Sequence, residues 1–177
     1  MNTTKKVLVR NLIIIFSMII MIGLGILIYF KSNSSYPITK INEAKVEKIN
    51  SSLLIVRSDL NQLEKILGNK NEKNKVIKLE QKTMEDIEKL DEVLENFKFK
   101  KTPDKGLLLW IICATSSKDA YLMDLMSYSS GDTKGNEDFS KNTIDHLNGS
   151  LKEMKNKHKE AYRYFKRNDY LKGFYNQ

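Results

Sequence analysis

Residues 46–67 read VEKINSSLLIVRSDLNQLEKIL, and the spacing of their apolar side chains decides the fold class. Apolar residues recur at alternating steps of three and four, which places them on one helix face for about three heptads. The pair Gly68-Asn69 follows directly and favours a helix end. The stretch therefore predicts an amphipathic first helix with a buried face of Val46, Ile49, Leu53, Val56, Leu60, Leu63 and Leu67.

A less regular pattern predicts a second helix from about residue 74 to residue 97. Glu80 and Thr83 interrupt its apolar face. Carboxylates alternate with lysines elsewhere on this helix, which is typical of a solvated face. A calcium site would need a glycine-turned loop, which this stretch lacks. The predicted apolar face consists of Val76, Met84, Ile87, Leu90, Leu94 and Phe97.

The third helix has a well-marked start at Thr102-Pro103-Asp104. Thr102 suits the N-cap, proline suits the first helical position and aspartate suits the positive helix end. Gly106–Ala114 reads GLLLWIICA and is apolar on all sides, which predicts the most buried helix. This run is too short to span a bilayer, so a core helix is favoured over a second span. The helix should end before Gly131.

A fourth helix is predicted from about residue 136, after the loop SSGDTKG at residues 129–135. Its apolar face keeps one phase across the turn-forming pair Asn148-Gly149, so we expect a continuous helix with any bend at that pair. The predicted face consists of Ile144, Leu147, Leu151, Met154, His158, Ala161 and Phe165.

Four helices joined by short loops predict an all-α fold, an antiparallel four-helix bundle over residues 40–167. The chain has 177 residues with only 8 glycines and 2 prolines, too few turn residues for a β-rich fold. A long coiled coil is disfavoured because each stripe meets a breaker after three or four heptads.

The N-terminal region contains an apolar run, Leu12–Phe30, without a charged residue. At about 1.5 Å per residue the run reaches about 28 Å, close to the hydrocarbon thickness of a bilayer. It predicts an uncleaved transmembrane signal anchor followed by a polar linker at residues 31–39. The alternative is a cleaved signal peptide, whose apolar region is shorter and ends at a small-residue cleavage site.

The basic residues predict the orientation of this anchor. Residues 1–31 carry four lysines and arginines and no acid, so residues 32–177 hold 26 bases and 22 acids. The positive-inside tendency places residues 1–11 in the cytoplasm and residues 32–177 outside it. The predicted location is therefore the cell membrane, with a single span and an extracytoplasmic domain. The mixed charge of that domain does not indicate nucleic-acid binding.

No catalytic or metal-binding pattern is present in the sequence. His146 and His158 are too far apart on one helix to bind the same metal, and no Glu-x-x-His of the di-iron bundles occurs. Phosphate-binding glycine loops and nucleophile motifs are also missing. Cys113, the single cysteine, lies among apolar residues and is interpreted as a buried thiol. We therefore predict no catalytic residue, no metal site and no cofactor.

The remaining feature is the basic and aromatic C-terminus, including a predicted tail at residues 168–177. In an up-down-up-down bundle, this tail and the loop after the second helix lie at the end nearest the bilayer. Anionic head groups attract bases and the interface favours aromatic rings. The alternative is an ordinary helix end with cations and core-covering aromatics. The predicted membrane-contact residues are Lys98, Phe99, Lys100, Lys101, Lys166, Arg167, Tyr170, Lys172, Phe174 and Tyr175.

These patterns favour a non-enzymatic, membrane-anchored interaction or scaffold domain at the cell envelope. Its expected partners are the membrane, an anionic lipid or envelope polymer, and an unidentified protein. The alternative is a ligand-sensing four-helix bundle that acts through a partner membrane receptor. An enzyme would require buried polar groups to assemble from distant helices.

Overall fold

The protein is all-helical in the residues that the computed structural model describes. The chain divides into two compact units, and the helices that the structure describes lie in the second, Pro37–Gln177. The described residues are 36, 38–67, 72–97, 104–130 and 137–176, with side chains from residue 141 onward in the last range. The helices are α1 (Lys40–Ile66), α2 (Lys73–Glu95), α3 (Lys105–Ser130), α4 (Glu137–Lys157) and α5 (Lys159–Arg167).

The predicted transmembrane anchor, Leu12–Phe30, lies outside the described residues and stays a prediction. Of the helices that the structure does describe, none is both long enough and apolar enough to cross a bilayer. Burial of residues such as Leu109 and Cys113 supports the interpretation of Gly106–Ala114 as part of a core helix.

Helix α1 follows the predicted three-four pattern. The Thr39 hydroxyl accepts a hydrogen bond from the backbone N–H of Asn42 (3.3 Å), and Glu43 lies in the first turn, where the helix dipole favours an acid. Six of the seven predicted stripe residues, from Val46 to Leu63, are buried. The seventh, Leu67, is partly exposed because it follows the last helical residue.

Helix α2 corrects one predicted core residue. Met84 is 37% exposed, whereas Thr83 is fully buried at 0%. Thr83 stands seven residues before Leu90, so the two side chains lie on the same helix face, and Met84 is rotated away by about 100°. The Thr83 hydroxyl donates to the Leu79 carbonyl within the same helix (2.7 Å), which satisfies the buried oxygen.

Helix α3 begins two residues later than its sequence pattern predicts, at Lys105 instead of Pro103. Asp104 is the capping residue, because its carboxylate accepts hydrogen bonds from the backbone N–H groups of Gly106 (2.7 Å) and Leu107 (3.3 Å). Thr102, the predicted N-cap, lies outside the described residues. The helix ends at Ser130, as predicted.

The predicted fourth helix is two helices, α4 and α5, which meet at His158. The break lies there and not at Asn148-Gly149, because Gly149 keeps its place inside α4. At His158 the backbone adopts φ −124° and ψ 54°, outside the helical region. Beyond this break, Tyr164 and Phe165 of α5 are buried in the core.

Helix α3 is central, since it packs against α1, α2 and α4. Helices α1 and α2 run antiparallel, as Lys45 lies over the Phe97 ring and Asp59 pairs with Lys82. Helix α4 packs along α3 and makes no extensive contact with α1 among the described residues. The predicted closed four-helix arrangement is therefore incomplete, and residues 168–176 lie between α1 and α3.

Candidate interaction surfaces

The C-terminal segment, defined as residues 168–176, is bound to α1 mainly through its backbone. The Asn50 side chain contacts it twice, because the amide N–H donates to the Asp169 carbonyl (3.3 Å) and the amide oxygen accepts from the Gly173 N–H (3.2 Å). Two turns further along α1, the Arg57 guanidinium donates to the Lys172 carbonyl (2.8 Å). Two α1 side chains thus bind three backbone groups of the segment.

Helix α3 binds the opposite side of the segment. The Trp110 indole N–H donates to the Tyr170 carbonyl (2.9 Å), and the Tyr121 hydroxyl donates to the Gly173 carbonyl (3.0 Å). The Ser117 hydroxyl accepts from the Tyr175 N–H (3.1 Å). These side chains recognise main-chain atoms, so they fix the path of the segment.

Aromatic packing accompanies the hydrogen bonds. The ring centroids of Phe165 and Phe174 each lie 5.6 Å from Trp110, within the range of favourable aromatic pairs. Tyr121 and Tyr175 form an edge-to-face pair at 5.3 Å. The single tryptophan of the chain is therefore enclosed partly by residues that follow it by more than fifty positions.

Gly173 allows the segment to approach α1 closely. A Cβ atom at this position would lie 2.8 Å from the Leu53 Cβ and 3.0 Å from the Asn50 carbonyl oxygen. Neither neighbour is the free end of a flexible side chain. The closest contact of the segment with α1 thus depends on the missing side chain of glycine.

The Tyr175 hydroxyl donates to the Asp124 carboxylate at the far end of the segment (3.2 Å). Burial raises the pKa of Asp124, and the hydrogen bond from Tyr175 opposes that shift. At the near end, the Tyr164 hydroxyl of α5 donates to Glu43 in the first turn of α1. Helix α5 is therefore connected to α1 through Tyr164, and the far end of the segment is connected to α3 through Tyr175.

The structure separates the predicted membrane-contact residues into different groups. Phe174 is fully buried at 0% exposure, so its ring packs inside the domain instead of lying on a surface. Tyr170 and Tyr175 are half-buried. Lys166, Arg167 and Lys172 are exposed. The others, Lys98, Phe99, Lys100 and Lys101, lie outside the described residues, and membrane contact itself stays a prediction.

The basic residues of the same region form an exposed surface. Aromatic residues of α5 and of the segment are buried or half-buried, while the bases between them are exposed. Glu153 forms ion pairs with Lys157 (3.6 Å) and Lys105 (3.8 Å), and Asp169 pairs with Lys172 (3.0 Å). We define the basic surface as the exposed bases Lys152, Lys155, Lys157, Lys159, Arg163, Lys166, Arg167 and Lys172.

The cysteine and the two histidines, which were considered as catalytic or metal-binding residues, lie in surroundings typical of structural side chains. Cys113 is fully buried, its thiol lies 3.8 Å from the Leu147 carbonyl oxygen, and burial raises its pKa to about 12. His146 is exposed, with Nδ1 3.3 Å from the Ser116 hydroxyl. His158 is half-buried at the α4–α5 break. Within the described ranges, no three His, Cys, Asp or Glu side chains are grouped to hold a metal.

A cleft between α1 and α2 is a feature that the sequence patterns did not reveal. It has a volume of about 470 Å³, with Ile66 and Leu79 among the residues of its wall. Lys75, Lys78 and Lys82 recur at helical spacing on α2, and this spacing was the feature of the sequence that could have indicated the cleft. The remaining lining residues are Gln62, Lys65 and Glu72.

Comparison of the chain with known protein families, curated proteins and solved structures found no match.

Proposed function

We propose that the chain is a membrane-anchored, non-enzymatic interaction or scaffold domain of the cell envelope. Leu12–Phe30 would supply a single span, and residues 32–177 would lie outside the cytoplasm as an antiparallel helical bundle. The basic flank before the span supports this orientation. The proposed partner is an anionic surface, either lipid head groups or an envelope polymer.

The observation that carries the proposal is the exposure of the basic surface. All eight of its bases lie on the last part of α4, on α5 or on the C-terminal segment, and all are exposed. Bases without an ion pair in the described part of the chain include Lys155, Lys159 and Lys166, so their charge is available to a partner. Each such base contributes about 1 kcal/mol near an anionic membrane.

The position of α5 supports a membrane-facing role. The Tyr164–Glu43 hydrogen bond places α5 beside the first turn of α1. An anchor that precedes α1 would bring this end of the bundle toward the bilayer. The basic surface would then meet head groups or a polymer close to them.

The test uses the full chain in phosphatidylcholine nanodiscs, mixed either with phosphatidylglycerol vesicles or with a soluble phosphate polymer. A variant with Lys155, Lys159 and Lys166 changed to Gln should bind at least about tenfold more weakly, and high salt should weaken binding by the original chain. Co-flotation measures binding to the vesicles, and a pull-down with immobilised polymer measures binding to the phosphate polymer.

The matched control changes three exposed bases elsewhere, Lys48, Lys73 and Lys141, to Gln. Net charge falls by the same amount, so retained binding would locate the contact on the basic surface. Equal losses in both variants would leave only a general charge effect and contradict the proposal.

Topology has its own test. Protease added to intact spheroplasts should digest residues 32–177, and digestion only after lysis would reverse the orientation. N-terminal sequencing of the membrane-bound protein distinguishes the uncleaved anchor from a cleaved signal peptide.

A second candidate function is ligand sensing through a partner membrane receptor. The cleft between α1 and α2 favours it, because its size lies in the range of small-molecule sites. A receptor whose output changes when this chain is deleted, and recovers with the intact chain but not with a cleft variant, would support it.

A further inference from the structure

The cleft between α1 and α2 has an apolar wall and a charged margin. Ile66 and Leu79 are half-buried, while Gln62, Lys65 and Lys78 are exposed. Lysine side chains carry apolar stems and charged ends, so they extend an apolar wall while keeping ammonium groups in water. The cleft therefore offers apolar contact inside and positive charge at its edge.

Only part of that positive charge is neutralised by the protein. Lys82 pairs with the buried Asp59 and also with Asp86 (3.4 Å), which satisfies its ammonium group. Lys75 pairs with Glu72 (3.3 Å) in an exposed pair, whose contribution is small.

Two ammonium groups of the cleft are left for a ligand. Lys65 comes from α1 and Lys78 from α2, and neither forms an ion pair with another described residue. Packing of the two helices brings both to one concave surface. Like charges collected in a concave site raise the local concentration of anions.

We propose that this cleft binds a small amphiphilic anion, with one anionic group and a short apolar part. The anionic group would contact Lys65 and Lys78, and the apolar part would lie against Ile66 and Leu79. A volume of about 470 Å³ suits a small molecule. The inference names the class of ligand that the second candidate function, ligand sensing, would require. It rests on that function only for the biological role of the ligand, and not for the binding itself.

The experiment uses hexyl phosphate as the probe and the full chain in phosphatidylcholine nanodiscs. Isothermal titration calorimetry against empty nanodiscs should give saturable binding, with weaker binding of inorganic phosphate and of hexanol. The variant with Lys65 and Lys78 changed to Gln should lose about tenfold in affinity, from two weak ion pairs. Gln62→Trp should also weaken binding, because the larger ring occupies the cleft.

The matched control changes Lys48 and Lys141 to Gln and should bind hexyl phosphate like the original chain. The inference is overturned if hexyl phosphate does not bind, if the Lys65/Lys78 variant binds it unchanged, or if inorganic phosphate or hexanol binds equally well. Binding without any effect on a receptor would support the cleft and count against the sensing function. The basic surface uses other residues, so its test is independent.

Discussion

Gly173 is the residue at which the C-terminal segment comes closest to α1. Its backbone makes two hydrogen bonds, one with Asn50 and one with Tyr121, while Leu53 leaves no space for a side chain. Gly149, by contrast, lies in α4 with open space where a Cβ would be added. The two glycines therefore allow opposite predictions for the same substitution.

Gly173→Ala should lower the free energy of unfolding by about 1–3 kcal/mol, because the new methyl group forces α1 and the segment apart. Gly149→Ala should raise it by up to about 1 kcal/mol, because alanine loses less backbone entropy in a helix. Urea denaturation followed by Trp110 fluorescence measures both. Equal stability of the Gly173→Ala variant and the original chain would mean that the segment is not closely packed.

Cys113 should react slowly with a thiol reagent in the folded protein. Burial raises its pKa from 9.0 to about 12, so on the order of one thiol in ten thousand is ionised at pH 8. The raised pKa also means that this group stabilises the fold below about pH 9 and loses that contribution as the pH rises toward 12.

Labelling with a chromogenic disulfide at pH 8, with and without denaturant, measures the reactivity of Cys113. The rate should increase sharply on unfolding. Rapid labelling of the native protein would contradict the burial of this thiol.

At the scale of elements, the start of α3 is set by one carboxylate. Asp104 accepts from two backbone N–H groups and places negative charge at the positive helix end. Helix α3 contacts the other four described helices, so its first turn affects more of the fold than the first turn of an outer helix would.

Asp104→Ala should cost about 0.5–2 kcal/mol of stability, because two N–H groups lose their acceptor. Asp104→Asn keeps the acceptor oxygen and should cost less. Thermal denaturation followed by circular dichroism compares the three proteins. If the Ala and Asn variants are equally destabilised, the charge matters more than the cap.

At the scale of the whole molecule, the C-terminal segment completes the packing that α4 leaves open. It lies against α1 and α3, and Trp110 bonds to it and packs on Phe174. A chain that ends at residue 168 should therefore expose the Trp110 ring.

Truncation after Asn168 should shift Trp110 emission to longer wavelength and lower stability by about 3–5 kcal/mol or more, since the buried Phe174 ring alone contributes that much. Lys172→Gln is the matched control. Its carbonyl, not its ammonium group, is bound by Arg57, so neither property should change noticeably. Unchanged emission after truncation would show that the segment does not cover Trp110 in solution.

The sequence alone determined where α1, α2 and α3 lie, because helical periodicity is a local property, whereas the break at His158 between α4 and α5 was not predicted. Burial of the α1 stripe and of Cys113 was predicted from residues within a few turns of one another, whereas Leu108 in the all-apolar run of α3 is 39% exposed. Five of the six residues predicted with most emphasis as core are buried, namely Leu53, Leu60, Leu109, Trp110 and Leu147. Leu151, the sixth, is half-buried.

Only the tertiary structure decided which surfaces these helices present. The alternation of aromatics and bases near the C-terminus is compatible with a membrane contact or with a core, and contacts with Asn50 and Trp110 decide that Phe174 faces inward. Lys65 and Lys78 likewise belong to one cleft only because α1 packs against α2. Such contacts join residues distant along the chain, and no local pattern specifies them. Periodicity fixes which face of a helix is apolar, whereas packing decides what covers that face and what remains open to a partner.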